Sequence, residues 1–344
     1  MISPWRRITS VFCLCLLLMT FAFVADAADK PLAADLVEDG QLINLQSPRY
    51  QKLFADLRKE HGFTQVELEH VFSGVSVNKR VLELMDQQWE SKPYYQYYPR
   101  FITISSISRG RKMLREHKEL LDRVEKEIGV EREIVVAIWG IETRYGKNTG
   151  SFDMFTTLNT MFDAYPRRRS FYRKQLVHFL LLCRDNDVDP LTVKGSYGGA
   201  FGQTQFIPSS FREYAVDFDK DGRRDVWNST PDVLASIANY LRRYGWVYGT
   251  PVYKDLGNKL KDEKLVDAFK KGRKGLIALD IVTKAQGLNL PQPPNNKSVT
   301  VVGLERKNNT MRYVAGYPNF QAITAWNHSN RYAMAVAELA MRLK

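Results

Sequence analysis

Apolar residues recur at the three-and-four spacing of an α-helix through most of this 344-residue chain, and that period decides its class before any motif is considered. Val66, Val71, Val81, Leu82 and Met85 follow it between 50 and 88. Residues 106–128 read as one long, charge-laced amphipathic helix, 134–145 as a helix closed by Gly146, and 167–184 as a third. Thr230-Pro231-Asp232 supplies an N-cap, a first-turn proline and a first-turn acid for a helix running to Tyr244. An alanine-rich helix over 331–343 ends the chain. Short β-branched runs, 299–302 and 311–314, fall in a proline-bearing stretch with Pro291, Pro293 and Pro294. The expected fold class is mainly α (α+β), with a small β-rich insertion and no internal repeat.

The first residues have a different purpose. Arg6 and Arg7, an uncharged apolar run over 8–24, and Ala25-Asp26-Ala27 come in the order of a secretory signal, with cleavage expected near Ala27 or Ala28. The alternative is a membrane anchor, but the run is short for ~30 Å of hydrocarbon and its small-residue exit favours cleavage. Phe12 and Leu14 precede Cys13 and Cys15 where a lipoprotein signal wants a small residue, so no lipid anchor is expected. Losing 1–28 removes two arginines and one aspartate and lowers the formal charge from +12 to +11. A secreted chain this basic expects an acidic partner: wall polymer, anionic lipid or nucleic acid. Only Cys183 survives cleavage, so no intramolecular disulfide can form; within the apolar stretch 179–183 it reads as a small core residue.

Val135, Ile138, Glu142 and Tyr145 lie three, four and three apart, on one helix face. A carboxylate on a core-facing stripe costs several kcal/mol unless it is paired. Either Glu142 is satisfied by an arginine such as Arg144 or by backbone amides, or it lines a cleft where desolvation keeps it protonated as a general acid. The helix alone leaves both open. The stretch 194–210 tilts the balance. It interleaves glycines with Tyr197 and Phe206 as stacking faces, and with Ser196, Gln203 and Gln205 as polar contacts, which suits a binding wall better than a linker. Arg167, Arg168 and Arg169 oppose the dipole at a helix start, which hints at a ligand carboxylate. The aromatic run 93–101 with Arg100 is the one stretch that resembles a nucleic-acid surface, and secretion argues against that partner.

Gly140-Ile-Glu-Thr-Arg-Tyr-Gly146, Tyr165-Pro-Arg-Arg168, the 194–210 stretch and Ala322-Ile-Thr-Ala-Trp-Asn327 together resemble the B-type lytic murein transglycosylases, in order from about Tyr50 to the C-terminus. The resemblance implies a lysozyme-like core with helical and β-rich additions, and Glu142 as catalytic acid. It places Tyr97, Arg167, Arg168, Ser196, Gln205, Phe206, Tyr240, Asn327 and Tyr332 along a glycan cleft, and Trp326 where the family pattern leads to tyrosine. No second carboxylate is required: Asp153 and Asp163 lie near the motif, and nothing marks either as a nucleophile. The implied partition is 1–28 signal peptide, 29–49 linker or arm, 50–130 helical region, 131–250 catalytic core with a cation loop, 251–316 β-rich insertion and 317–344 the end of the core.

Asp217-Phe-Asp-Lys-Asp-Gly222 has acids at positions 1, 3 and 5 and glycine at 6, as in the first half of an EF-hand loop, with the Arg223 carbonyl at position 7. Position 12 is Asn228, where a standard loop has a bidentate glutamate. By the resemblance, Asp232 supplies the closing ligand of a structural Ca2+. The alternative is an acidic surface turn. The chemistry needs no cofactor. The expected substrate is the glycan strand of peptidoglycan, met in the periplasm by a monomer; proteins of cell-wall synthesis or remodelling are the class of partner it would encounter. A hydrolytic muramidase and a non-catalytic wall-binding module are the competing functions.

Overall fold

The computed structural model describes residues 32–86, 92–293 and 298–344. The expected signal peptide, with Cys13 and Cys15, lies outside the described residues, as do the end of the 50–88 stretch and Pro294. Within the described residues no helix is long and apolar enough to cross a membrane.

A 3-10 turn, Ala33–Leu36, opens the described chain, and the segment after it lies antiparallel on residues 75–77 through Gly40 N–Val77 O and Ile43 N–Val75 O bonds of 2.9 and 3.1 Å. The stretch expected as an arm is thus packed down, with Ala34 and Ile43 buried. Helices α1 (Pro48–His61), α2 (Gln65–Phe72) and α3 (Lys79–Asp86) follow, then the short α4 (Tyr94–Tyr97). The single helix expected over 106–128 is two, α5 (Ile104–Glu116) and α6 (Lys118–Ile128). The chain breaks at His117, which leaves the helical region at φ −108° and ψ 26° and sets its ring 5.9 Å from Trp139. The break lets α5 and α6 pack different partners.

Helix α7 (Arg132–Thr143) is apolar almost all round, the mark of a helix enclosed by others. It is flanked by α5, α6, α11 (Thr230–Arg243) and α15 (Asn330–Leu343). Between them run β1 (Phe152–Asp153), α8 (Met154–Ala164), α9 (Arg169–Asp185), β2 (Lys194–Gly195) and α10 (Pro208–Tyr214), with β1 and β2 paired antiparallel. The N-cap of α11 is Ser229, one residue before the Thr230 expected from sequence, because its hydroxyl reaches Asp232 N.

The β-rich insertion also carries helices. Strands β3 (Tyr253–Gly257), β4 (Leu276–Ala278), β5 (Ser298–Glu305) and β6 (Met311–Gly316) form an antiparallel sheet in the order β3-β6-β5-β4, with α12 (Glu263–Lys270) and α13 (Leu279–Gln286). Strand β5 serves two cores. Val299 and Val301 join a small cluster with Leu265 and Val282, whereas Val302 and Leu304, at the alternate positions, join the main core. Both faces being buried, the strand reads as a continuous apolar run rather than an alternation. Helix α14 (Pro318–Asn327) returns the chain to the main core ahead of α15.

Candidate active site

Glu142 sits one residue before the end of α7. Val135 and Ile138 of its stripe are fully buried, as the spacing predicts, but Tyr145 has left the helix. Arg144 and Tyr145 both take left-handed conformations (φ 52° and 62°), which are costly for side chains of this size and occur chiefly where the surroundings enforce them. Here Tyr145 folds back so that its hydroxyl donates to Ser106 O at 2.7 Å and its ring covers Gly140. A Cβ on Gly140 would meet Tyr145 Cζ at 2.5 Å, so the first glycine of the motif exists to admit this ring. Gly146 (φ 78°) is held by its N–H to Thr143 Oγ1, 2.9 Å, and leaves no room for a Cβ against Gln203.

The Glu142 carboxyl is half-buried, and its Oε1 accepts a 2.6 Å hydrogen bond from the Tyr332 hydroxyl. Burial raises its pKa from an ordinary 4.5 to about 7; the Tyr332 hydroxyl, then the Trp326 indole, pull it partly back by favouring the charged form. Tyr332 is itself buried, and burial followed by the Glu142 charge holds its own pKa well up, so it stays a donor. Such a carboxyl can give and take a proton near neutral pH. Arg144 is exposed and does not pair with it.

An aromatic wall adjoins the carboxyl. Trp326 lies 5.1 Å from Phe206 and 4.6 Å from Tyr240, ring centre to centre, and Tyr240 stacks on Tyr244 at 4.6 Å. The Tyr240 hydroxyl donates to Ala325 O at 2.9 Å, tying α11 to α14. Tyr97, on α4, is near enough to raise the Tyr332 pKa. Tyr214 and Tyr244 continue the wall and escaped the sequence reading, although the four-residue step from Tyr240 to Tyr244 on one helix would have found the second.

The Gly-rich stretch is a folded turn. Ser196 Oγ accepts from Ala200 N at 3.1 Å, and Gln205, left-handed at φ 50°, donates from Nε2 to Thr149 O and Gly202 O, each 3.0 Å. Both are half-buried and open to the outside. Gln203 corrects its sequence reading. Its Oε1 accepts from Trp139 Nε1 at 2.9 Å and its Nε2 donates to Trp227 O at 2.8 Å, so its amide is engaged within the protein at both ends. Tyr197 lies 6.3 Å from Phe152, edge to face.

Arg167 and Arg168 are exposed in a 3-10 turn, Pro166–Arg168, that precedes α9. Arg168 lies 4.1 Å over the Phe171 ring. Arg169 explains the run's opposition to the α9 dipole, because its guanidinium caps the previous helix by donating to Phe162 O and Asp163 O at 3.1 and 2.9 Å. Asn327, the last residue of α14, is half-buried beside Trp326. Asp153 caps α8 through Thr156 N, 2.9 Å, and Asp163 pairs with Arg49 at 3.0 Å, so both acids have structural roles. Cys183 is buried, and burial pushes its thiol pKa far up, as a core residue requires.

Asp217, Asp219 and Asp221 each bring one carboxylate oxygen within 4.8 Å of the others. The turn is drawn in by Gly222 N to Asp217 Oδ2, 3.0 Å, and Arg223 N to Asp221 Oδ1, 2.8 Å. Ser229 Oγ donates to Asp219 Oδ2 at 2.6 Å and so ties the loop to the start of α11. Asp232 stands outside this cluster. It is sealed from solvent, its oxygens accepting from Phe218 N and Asp225 N at 2.7 and 2.8 Å, and it therefore shapes the loop from beneath.

A helical core around one partly buried carboxyl, with an adjoining set of packed aromatic rings and a small two-stranded sheet, describes a lysozyme-like glycan-cleaving enzyme. The transglycosylase SLT domain matches residues 46–341, and the chain belongs to that family: it is a lytic transglycosylase of peptidoglycan. It is 34% identical over 304 residues to the membrane-bound lytic murein transglycosylase B of Escherichia coli (strain K12), covering 85% of this chain and 82% of the relative. The soluble lytic transglycosylase SltB1 from Pseudomonas aeruginosa superimposes with a TM-score of 0.77 at 38% identity, over 86% of this chain and 98% of that one. The Escherichia coli lytic transglycosylase Slt35, solved in complex with calcium, gives 0.77 at 34%, over 87% and 93%. The fold class expected from sequence is borne out.

Proposed function

We propose that Glu142 performs both proton transfers of the transglycosylation. Protonated, it gives its proton to the oxygen joining N-acetylmuramic acid to N-acetylglucosamine as the C1–O bond breaks, and the substrate's own acetamido carbonyl steadies the electron-poor C1. Left as a carboxylate, it takes the proton of the C6 hydroxyl while O6 closes onto C1. The proton returns to Glu142, and the 1,6-anhydro product is one water lighter than a hydrolytic one. The observation that carries this reading is the 2.6 Å Tyr332–Glu142 bond on a carboxyl whose pKa burial raises to about 7. One group close to neutral can be acid in one half and base in the other. Tyr97, Phe206, Tyr240 and Tyr332 wall the cleft; Ser196, Gln205 and Asn327 orient the sugar amides; Arg167 and Arg168 meet the carboxylates of the stem. The basic signal-like N-terminus supports export to the periplasm.

The acidic loop suits a hard divalent cation. Each of the three carboxylates has an oxygen within 4.8 Å of the others, a cation among them would offset their mutual repulsion, and an all-oxygen set suits calcium or magnesium better than softer metals. Asp217, Asp219, Asp221 and the Arg223 carbonyl would hold it, with Asp232 shaping the loop beneath. The ion would cross-link the loop to α11 and take no part in proton transfer.

The test is mass spectrometry of the muropeptides that wild type and Glu142→Gln release from purified sacculi. Anhydromuropeptides from wild type and none from the variant are expected. Reducing-end products would make the enzyme a muramidase, and digestion by the variant would remove Glu142 from the chemistry.

A further inference from the structure

Of the aromatic run around α4, Tyr97 lies toward Tyr332 and so toward Glu142. The run's other tyrosines line a separate pocket of about 330 Å³. Tyr94 and Tyr97, three apart, are buried toward α15, where the Tyr94 hydroxyl donates to Glu338 Oε2 at 3.0 Å. Tyr95 and Tyr98, also three apart, remain partly open, and the Tyr98 ring lies 5.3 Å from that of Tyr94. The facing wall is the β5–β6 hairpin and the last turns of α15, with Arg306, Lys307, Arg312 and Arg342. Its acids are already answered: Glu305 by Arg331 at 2.6 Å, Glu338 by Arg312 at 2.7 Å. Arg306 and Lys307 stand exposed with no ion pair among the described residues. Glu338 is six residues along α15 from Tyr332, or about 9 Å, so this pocket begins roughly two turns from the Glu142 contact.

Tyrosine faces beside unpaired cations match an anionic sugar polymer. The C–H face of a pyranose packs on an aromatic ring, and peptide carboxylates pair with guanidinium and ammonium groups. We propose that this pocket is a second peptidoglycan-binding site that takes a sugar–peptide unit outside the cleft. Tyr95 and Tyr98 receive the sugar face, and Arg306 and Lys307 the carboxylates. The proposal rests on reading the Glu142 cleft as the cleaving site; holding the polymer at two places raises the effective concentration of strand at the first.

The experiment compares wild type with Arg306→Glu/Lys307→Glu, Tyr95→Ala and Tyr95→Phe. It measures co-sedimentation with purified insoluble sacculi, and kinetics on sacculi and on a soluble fragment of two disaccharides. The charge-reversed variant should bind sacculi roughly tenfold more weakly, as expected for reversing two exposed cations. Its KM on sacculi should rise by a similar factor with kcat held, while the short fragment is turned over as by wild type. Tyr95→Ala should also lose binding and Tyr95→Phe keep it. Unchanged sacculus binding, or an equal loss on the short fragment, overturns the proposal. If Glu142→Gln still digests sacculi, the cleft reading fails, yet the co-sedimentation difference still reports on the second pocket.

Discussion

Two sets of carboxylates define this molecule, and their surroundings make them opposites. Glu142 is a lone acid at the end of an apolar helix, half-buried and faced by two neutral donors, and its pKa is raised to about 7. Asp217, Asp219 and Asp221 are crowded together at the surface, where backbone N–H groups donate to Asp217 and Asp221 and the Ser229 hydroxyl donates to Asp219. The same chemical group thus stands alone against apolar packing in one region and clustered in water with its own kind in the other. Water access and neighbours set the difference, which gives separate ways to break each region.

The largest effect is expected at Glu142. Glu142→Gln keeps the shape and cannot supply a proton, so release of muropeptides should fall roughly 10³-fold or more, the range of a general acid–base group. The wild-type rate should fall as pH rises above about 7, where the acid is lost. Stability follows the same titration. Because the folded pKa of about 7 lies above the ordinary 4.5, the folded state holds the proton more tightly, and folding stability declines as pH climbs between those values. Glu142→Gln is therefore expected to be more stable than wild type above pH 7, by on the order of 2 kcal/mol, with the gap closing near pH 4. Urea melts at both pH values measure it; a gap independent of pH would mean that Glu142 is not strained by its burial.

Calcium should act on the other region alone. An ion bound only to the folded state stabilises by about 2.7 kcal/mol at a hundredfold excess over Kd. Chelator should lower the melting temperature of wild type by several degrees. Asp219→Ala should melt alike with and without calcium. Loss of activity with chelator at constant melting temperature would instead assign the ion to the chemistry.

Tyr332 sharpens the first region by a smaller step. Its hydroxyl favours the ionised Glu142, so Tyr332→Phe should raise the Glu142 pKa further and move the alkaline limb of the pH–rate profile upward. A hydrogen bond to a charged group is worth about 1.5–3 kcal/mol, so kcat should fall roughly tenfold or somewhat more. A lower rate with an unmoved limb would show that Tyr332 only packs.

Much of this contrast was legible in the sequence, and the limits have physical causes. The stripe Val135–Ile138–Glu142 and the spacing of the three aspartates are local patterns, so helix and loop could both be read directly. Breaks set by tertiary contacts could not. His117 interrupts an otherwise uniform amphipathic run because α5 and α6 have different partners, and Tyr145 leaves its helix to reach Ser106. The helices α12 and α13 were obscured by the β-branched runs around them. Gln203 looked like a sugar contact because its loop is polar, and only the fold shows both ends of its amide taken by indole and carbonyl groups.

Gln203 is also where the two regions meet, and it supports the smallest and most discriminating prediction. Its backbone N–H donates to Val226 O at 2.7 Å and its Nε2 to Trp227 O, just after Asp225, whose own N–H is held by Asp232. On the other side it accepts from Trp139 of α7, and the Thr143 hydroxyl donates to its carbonyl at 3.3 Å, one residue from Glu142. Gln203, through both its backbone and its amide, thus bridges the segment after the acidic loop and the end of the helix that carries Glu142. Gln203→Ala, Asp219→Ala and the double variant form a cycle that can be read by urea unfolding with calcium present. Residues sharing a network usually couple by 0.5–3 kcal/mol, and a path through one intermediate segment should give the low end, about 0.5–1 kcal/mol. Additivity to within about 0.3 kcal/mol would mean that the Glu142 helix and the acidic loop are energetically independent, and that Gln203 merely fills the space between them.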